Sequence, residues 1–146
     1  MLRGHSPAKI DGKGRLKVPS VFRKIIEEKY GRDCFVTSTT GEFARVYPMP
    51  VWVEIEKKFA VLPSMNPTVM RLKNRVNYYG AAASMDDQGR LPIHPLLRRS
   101  TGLDGDVAVI GSQTWLEVWN REKLEAMLKS HPLTEEDETL LSSLGI

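Results

Sequence analysis

The sequence is poor in the residues that usually carry chemistry. Among 146 residues there is one cysteine, Cys34, and three histidines, His5, His94 and His131, far apart in the chain. A single thiol excludes an intrachain disulfide framework and a cysteine-based zinc site. No G-x-S-x-G, H-E-x-x-H or Walker A spacing is present, so no enzyme, metal, cofactor or small-molecule substrate is expected. Gly12-Lys13-Gly14 resembles a phosphate loop but lacks its spacing, and His94 reads as a helix-start residue. No apolar run approaches the ~18 residues of a membrane span. The opening MLRGHSPAKIDGKGR has no apolar core of a signal peptide, so a cytoplasmic protein in a reducing compartment is expected. With 41% apolar and 27% charged residues the chain can bury a core, which excludes wholesale disorder. Its length suits one ordinary domain or two very small ones fused.

What the chain does have is basic charge, unevenly placed. The net charge is +3, yet residues 1–32 carry nine basic against three acidic side chains. Residues 57–75 carry five basic and no acidic ones, whereas residues 121–146 carry three basic and six acidic. A basic start with an acidic tail suits an anionic partner near the start. A merely solvated face has the same composition, so the arrangement of the charges must decide.

The sequence also repeats itself. Ile10-Asp11-Gly12-Lys13-Gly14-Arg15-Leu16-Lys17-Val18 returns 75 residues later as Met85-Asp86-Asp87-Gln88-Gly89-Arg90-Leu91-Pro92-Ile93. Phe22-Arg23-Lys24 then matches Leu97-Arg98-Arg99 in kind. Phe43-Ala44-Arg45-Val46-Tyr47 matches Trp115-Leu116-Glu117-Val118-Trp119 at an offset of 72. Two blocks at compatible offsets make chance a poor explanation. Each half is one unit: a D-x-x-G-R turn, a short helix and a two-strand hairpin.

Local signals fill in the elements. Leu16 and Val18 alternate with charged residues as a short strand, and Phe22, Ile25 and Ile26 mark a helix that starts after Pro19 and ends near Gly31. Residues 34–37 and 44–47 read as strands around Thr39-Thr40-Gly41. Trp52, Ile55 and Phe59, and then Val69, Leu72, Val76 and Tyr79, predict two helices broken by residues 63–67. Residues 95–100 form a shorter helix that Gly102 can end. Residues 107–110 and 114–119 form strands with a turn at Gly111-Ser112. Asn120 caps a helix bearing Leu124, Met127 and Leu128, and the Thr134 to Asp137 capping pattern starts a last, marginal one. The predicted class is α+β: two pseudo-symmetric β units packed together, joined by a helical hairpin and followed by C-terminal helices. The boundaries are 5–50 and 83–126 for the units, 51–82 for the connector and 127–146 for the tail.

The D-x-x-G-R turn is where function is sought. Asp11 sits four residues before Arg15, and two readings are open. Asp11 and Arg15 pair to hold the turn; or Lys13 and Arg15 project from it, Arg15 onto guanine edges or phosphate and Lys13 onto phosphate. The second turn, Asp86-Asp87-Gln88-Gly89-Arg90, carries two acids and would be repelled by a polyanion. The first turn is therefore expected to touch DNA, through Arg3, Lys9, Lys13, Gly14, Arg15 and Lys17. Asp11, Asp86, Gly89 and Arg90 are expected to be structural, with Arg90 an Asp86 partner.

On these residues the chain resembles the MraZ family, bacterial regulators with tandem SpoVT/AbrB-like domains. The likeness rests on M-L-R-G, I-D-G-K-G-R-L-K-V-P, the second D-x-x-G-R-L and the V-x-V-x-G…W-x-E-V-W hairpin, over residues 1–125. The resemblance implies swapped-hairpin units and a nucleoid-associated transcription factor for the cluster of cell-division and cell-wall genes. It also implies a ring-shaped homo-oligomer, an octamer or larger, bound to short direct G-rich repeats in double-stranded promoter DNA through residues Asp11 to Arg15. His94 stands where the family has Pro, and Pro92 enters the second short strand; both suggest an irregular second turn. An alternative stays open, an oligomeric protein-interaction or antitoxin-like AbrB-family module that uses the acidic tail and exposed aromatics such as Trp119, although Trp115 and Trp119 are more often core or subunit-interface residues. RNA binding is disfavoured, because the aromatics do not interleave with a basic strand.

Overall fold

A computed structural model describes residues 1–146. In chain order the elements are β1 (His5–Ile10), β2 (Arg15–Lys17), α1 (Ser20–Tyr30), β3 (Asp33–Thr37), β4 (Ala44–Pro48), α2 (Met49–Ala60), α3 (Pro67–Tyr78), β5 (Ala81–Ser84), β6 (Arg90–Pro92), α4 (Pro95–Thr101), β7 (Gly105–Ser112), β8 (Trp115–Asn120), α5 (Arg121–Ser130) and α6 (Glu135–Ser143). The eight strands form one antiparallel sheet in the order β5-β3-β4-β8-β7-β1-β2-β6. Its two ends, β5 and β6, meet at the second turn, where the Asp86 N–H donates to the Arg90 carbonyl at 3.0 Å. The sheet is thus nearly a closed barrel, which leaves little free edge.

The halves interleave. β1 pairs with β7 from the second half over its whole length, His5 opposite Ile110 and Ile10 opposite Gly105. β5 makes the equivalent pairing with β3 of the first half. Like strands meet like: β2 pairs with β6, and β4 with β8. Neither half has enough strands to cover its apolar side chains alone; the exchange solves this inside one chain.

The repeat reappears as the core. Ile10 and Met85, Leu16 and Leu91, Val18 and Ile93, Phe22 and Leu97, Cys34 and Val107, Val36 and Val109, Ala44 and Leu116, and Val46 and Val118 all belong to one buried cluster. These eight apolar pairs thus each reflect one position filled twice around a pseudo-twofold axis. Cys34 is fully buried within it, and burial pushes its thiol up to about 12, so it stays protonated and inert.

Outside the barrel, α2 and α3 pack on one stretch of sheet through Trp52 and Val76 against Phe35 and Tyr47. The last turn of α3 is tied down where the Thr37 hydroxyl donates to the Val76 carbonyl at 2.6 Å. α5 covers another stretch through Leu124. Asn120 caps it as expected, its side-chain oxygen accepting from the Lys123 N–H. Thr134 and Asp137 form the reciprocal capping box at the start of α6, yet α6 buries none of its residues.

Some local expectations need correction. The hairpin turn in the second half lies at Gln113-Thr114, with Gln113 at φ +64°, and β7 runs on through Gly111 and Ser112. The cause is the chain start: Leu2 bridges to Gln113, and the Gly111 N–H donates to the Gly4 carbonyl at 2.8 Å, which extends the ladder. Trp119 is a core residue, the preferred of its two readings, and not the exposed aromatic that the interaction-module alternative uses. It is 7% exposed and stacks on Phe43, centroids 4.3 Å apart, beneath α5. The second turn is not irregular either. Pro92 sits on β6 opposite Arg15, where its missing N–H costs little at the end of a sheet. His94 caps α4 and places its Nε2 2.6 Å from the Tyr79 carbonyl oxygen.

Candidate nucleic-acid interface

The two D-x-x-G-R turns are built alike. In the first, Asp11 Oδ1 accepts the N–H groups of Lys13 (2.9 Å) and Arg15 (3.0 Å), and Oδ2 accepts Arg15 Nε at 2.8 Å. In the second, Asp86 Oδ1 accepts from Gln88 and Arg90, both at 2.9 Å, and Oδ2 accepts Arg90 Nε at 2.7 Å. The backbone bond from the Gly N–H to the Asp carbonyl is 3.0 Å in both. Gly14 and Gly89 supply the left-handed residue that closes each loop, at φ +78° and +75°. These bonds favour ionised carboxylates. Asp11 is held below its ordinary value and Asp86 is lowered to about 2, led in each case by the backbone N–H of the arginine.

Pairing with aspartate therefore does not separate Arg15 from Arg90, since both make it. It consumes only Nε, and the two Nη groups of Arg15 make no hydrogen bond within the chain. The pair acts as a mount, fixing the guanidinium while leaving its outer fork free. Arg15 keeps a quarter of its side chain exposed, and Lys13 at the apex is exposed with no side-chain partner.

What differs is the charge around the mounts. Gly12 and Lys13 of the first turn face Asp87 and Gln88 at the equivalent places of the second. At the second turn the neighbouring cations are already engaged, although the Arg90 Nη groups, like those of Arg15, make no hydrogen bond. Arg32 Nη1 pairs with Asp87 at 2.6 Å, Arg23 Nη2 donates to the Asp87 carbonyl at 2.7 Å, and Lys17 Nζ donates to the Gln88 carbonyl.

The other expected contacts scatter. Lys9 lies on β1 beside the first turn, in a loose, exposed ion pair with Asp106 at 3.9 Å. Lys17 is committed to the second turn. Arg3 lies beyond the far end of β1, about 20 Å of strand from the first turn. The structure keeps Lys13, Gly14 and Arg15 together on the turn, sets Lys9 beside Lys17 on the adjoining strands, and adds one residue the sequence did not flag. The Arg98 guanidinium, from α4 of the other half, lies against Gly14. Its signal was present as the Arg23/Arg98 match, but only the interleaved topology puts each helix over the opposite turn. No three His, Cys, Asp or Glu side chains gather as a metal site. His5 begins β1, His94 caps α4 and His131 ends α5.

A family model described as "MraZ protein, putative antitoxin-like" matches residues 1–75 and 80–144. The chain belongs to the MraZ family. Among MraZ relatives, "Transcriptional regulator MraZ" of Koribacter versatilis is 50% identical over the whole of both chains, and that of Acidobacterium capsulatum is 43% identical, again over both whole chains. A third, from Thiobacillus denitrificans, is 33% identical over 99% of this chain and 97% of its own. The MraZ match runs through both turns and into the acidic tail as far as residue 144. The α+β architecture of paired AbrB-like units is thereby that of its family.

Proposed function

We propose that this member of a family of transcriptional regulators binds specific double-stranded promoter DNA through its first Gly turn, with the second turn serving as structure. The observation that carries this is the contrast in surrounding charge: two mounts with the same hydrogen bonds and the same unbonded Nη forks, one beside Asp87 and cations already engaged, the other beside the free Lys13. Arg15 offers its Nη fork to guanine O6 and N7 or to phosphate, and Lys13 neutralises phosphate, with Lys9 at the flank. The operators are short direct repeats ahead of the cell-division and cell-wall gene cluster, and the protein works in the cytoplasm on the nucleoid. Those targets rest on the family resemblance.

One turn covers little DNA, whereas specific interfaces bury roughly 1,000 Å² or more. Several protomers must then act together, as a ring-shaped homo-oligomer. Two exposed surfaces support assembly. The α2–α3 hairpin carries Lys58, Arg71 and Lys73 beside exposed Val61, Met65 and Met70. α6 carries Glu135, Glu136, Asp137 and Glu138 in its first turn beside exposed Leu140 and Leu144. Surfaces that differ and complement each other produce head-to-tail contacts, which close into rings. The same tail favours a second reading, a module that captures a basic partner protein; that reading needs no DNA.

The test is footprinting and gel-shift on DNA upstream of its own gene cluster, with Arg15→Ala alongside and light-scattering mass and circular dichroism as controls. The expected result is protected, regularly spaced repeats. Arg15→Ala should lose about 1–3 kcal/mol per guanine contact, roughly 5- to 150-fold, while staying folded and assembled. Normal binding by Arg15→Ala would remove the assignment.

A further inference from the structure

We infer that Arg98 is a phosphate-contacting residue of the first turn, supplied by the opposite half of the chain. The inference rests on the DNA-binding reading above and names a specific residue within it.

The placement is tight. A Cβ at Gly14 would lie 2.4 Å from Arg98 Cζ, 2.6 Å from Nε and 2.8 Å from Nη1, so the guanidinium rests directly on the glycine. It is tethered there: Arg98 Nε donates to the Ile93 carbonyl at 2.9 Å, and the Ile93 N–H donates to the Gly14 carbonyl at 3.0 Å. Held by Nε, as Arg15 is, Arg98 makes no hydrogen bond through its Nη groups and no ion pair. Asp104 lines the same shallow cleft as Arg98 but stands beyond ion-pair distance.

The pseudo-symmetric copy provides an internal control. Arg23 lies over Gly89 in the same manner, its Cδ 2.7 Å from the position of a Cβ there. Arg23 is satisfied: Nε donates to Glu27 Oε1 at 2.9 Å and Nη2 to the Asp87 carbonyl at 2.7 Å. Shifted by the repeat offset of 75, Glu27 falls on Gly102 and Asp87 on Gly12. α4 has already ended at Gly102, in the left-handed region, where α1 continues for another turn. Gly102 thus withholds the carboxylate that Arg23 finds in Glu27, while Gly12 has a backbone carbonyl like that of Asp87, to which Arg98 makes no hydrogen bond, and no carboxylate. An arginine that only braced a turn would be expected to look like Arg23. Arg98 has the brace without the counter-charges, beside Lys13 and the free fork of Arg15.

The position also points to the ligand group. Arg98 reaches the turn from α4 and lies folded against the Gly14 backbone, not on the turn itself as Lys13 and Arg15 do, so it is placed for the sugar–phosphate backbone that passes over the turn. A pre-positioned guanidinium fork suits a phosphate oxygen pair. Such a contact carries charge but no base preference.

The experiment titrates wild type, Arg98→Gln, Arg98→Lys, Arg23→Gln and Arg15→Ala against a labelled promoter duplex and a scrambled one, from about 50 to 200 mM salt. Circular dichroism and light-scattering mass check each variant. Arg98→Gln should weaken both duplexes by a similar factor, roughly three- to tenfold at the low end, and reduce the salt slope by about one per contacting subunit. Arg98→Lys should restore the slope but not the full affinity, and Arg23→Gln should change neither. If Arg15→Ala loses the promoter duplex while Arg98→Gln keeps wild-type affinity and slope, the role of Arg98 is overturned and the DNA reading stands. If wild type fails to bind, or Arg15→Ala binds normally, the underlying reading fails and takes this one with it.

Discussion

Gly14→Ala is the perturbation whose cost can be worked most fully from the geometry. At φ +78° an L-residue costs roughly 1–2 kcal/mol. The new methyl would also lie 2.4 Å from Arg98 Cζ, so the guanidinium must leave. Its bond to the Ile93 carbonyl goes with it, at roughly 0.5–1.5 kcal/mol. Together these give about 2–3 kcal/mol. For a chain of this size that is on the order of 5–10 °C in melting temperature. Gly12→Ala is the control two residues away. Its φ is not positive and nothing lies within 4 Å of its Cβ position, so it should stay within about 0.5 kcal/mol of wild type. Gly89→Ala should cost at least as much as Gly14→Ala, because the Arg23 it strikes is anchored by Glu27 and Asp87. It should leave DNA affinity intact in the fraction that is folded. Urea unfolding at one fixed protomer concentration measures all three, with an unchanged m-value as the sign of a pure stability effect. Gly14→Ala as stable as Gly12→Ala would refute the account of the turn.

Two further outcomes are expected. The depressed carboxyls of Asp86 and Asp11 contribute stability that is present above the ordinary carboxylate value of 3.8 and lost as pH falls through the folded value, about 2 for Asp86. Acid unfolding followed by circular dichroism should therefore begin below about pH 4, and Asp86→Asn should flatten that limb; an unchanged limb in Asp86→Asn would contradict it. For assembly, reversing Lys58 and Lys73 to Glu should lower the light-scattering mass, and reversing Glu135 and Glu138 to Lys in the same chain should restore it; full-sized particles from the first variant would exclude the hairpin as the contact.

Much of the fold could be read from the sequence because the duplication encodes it twice. Residue pairs such as Leu16 and Leu91, or Val46 and Val118, occupy the same core position in each half, so an apolar match of this kind marks a buried site. Helix ends at Asn120 and Thr134 were legible because capping is local. β1 and β5 were not. HSPAKI and AAAS carry weak strand signals, and they are extended because β7 and β3 of the opposite half pair with them. The turn at Gln113 was hidden for the same reason: Leu2 sets it from more than a hundred residues away. At the site, the D-x-x-G-R spacing announced the turn and its internal ion pair. The asymmetry in free donors was only half visible. Asp87 against Gly12 could be read directly, but the crossing of α4 over the first turn depends on how the halves interleave.

The central claim is that two turns of one geometry differ in function because of their surrounding charge. Arg15→Ala and Arg90→Ala test it on one promoter duplex at one salt concentration. Each removes a guanidinium bound through Nε to its own aspartate, at 2.8 and 2.7 Å, so the loss of the internal pair is common to both. Binding lost in Arg15→Ala and wild-type affinity in Arg90→Ala is the predicted result; equal losses, or the reverse order, would contradict it.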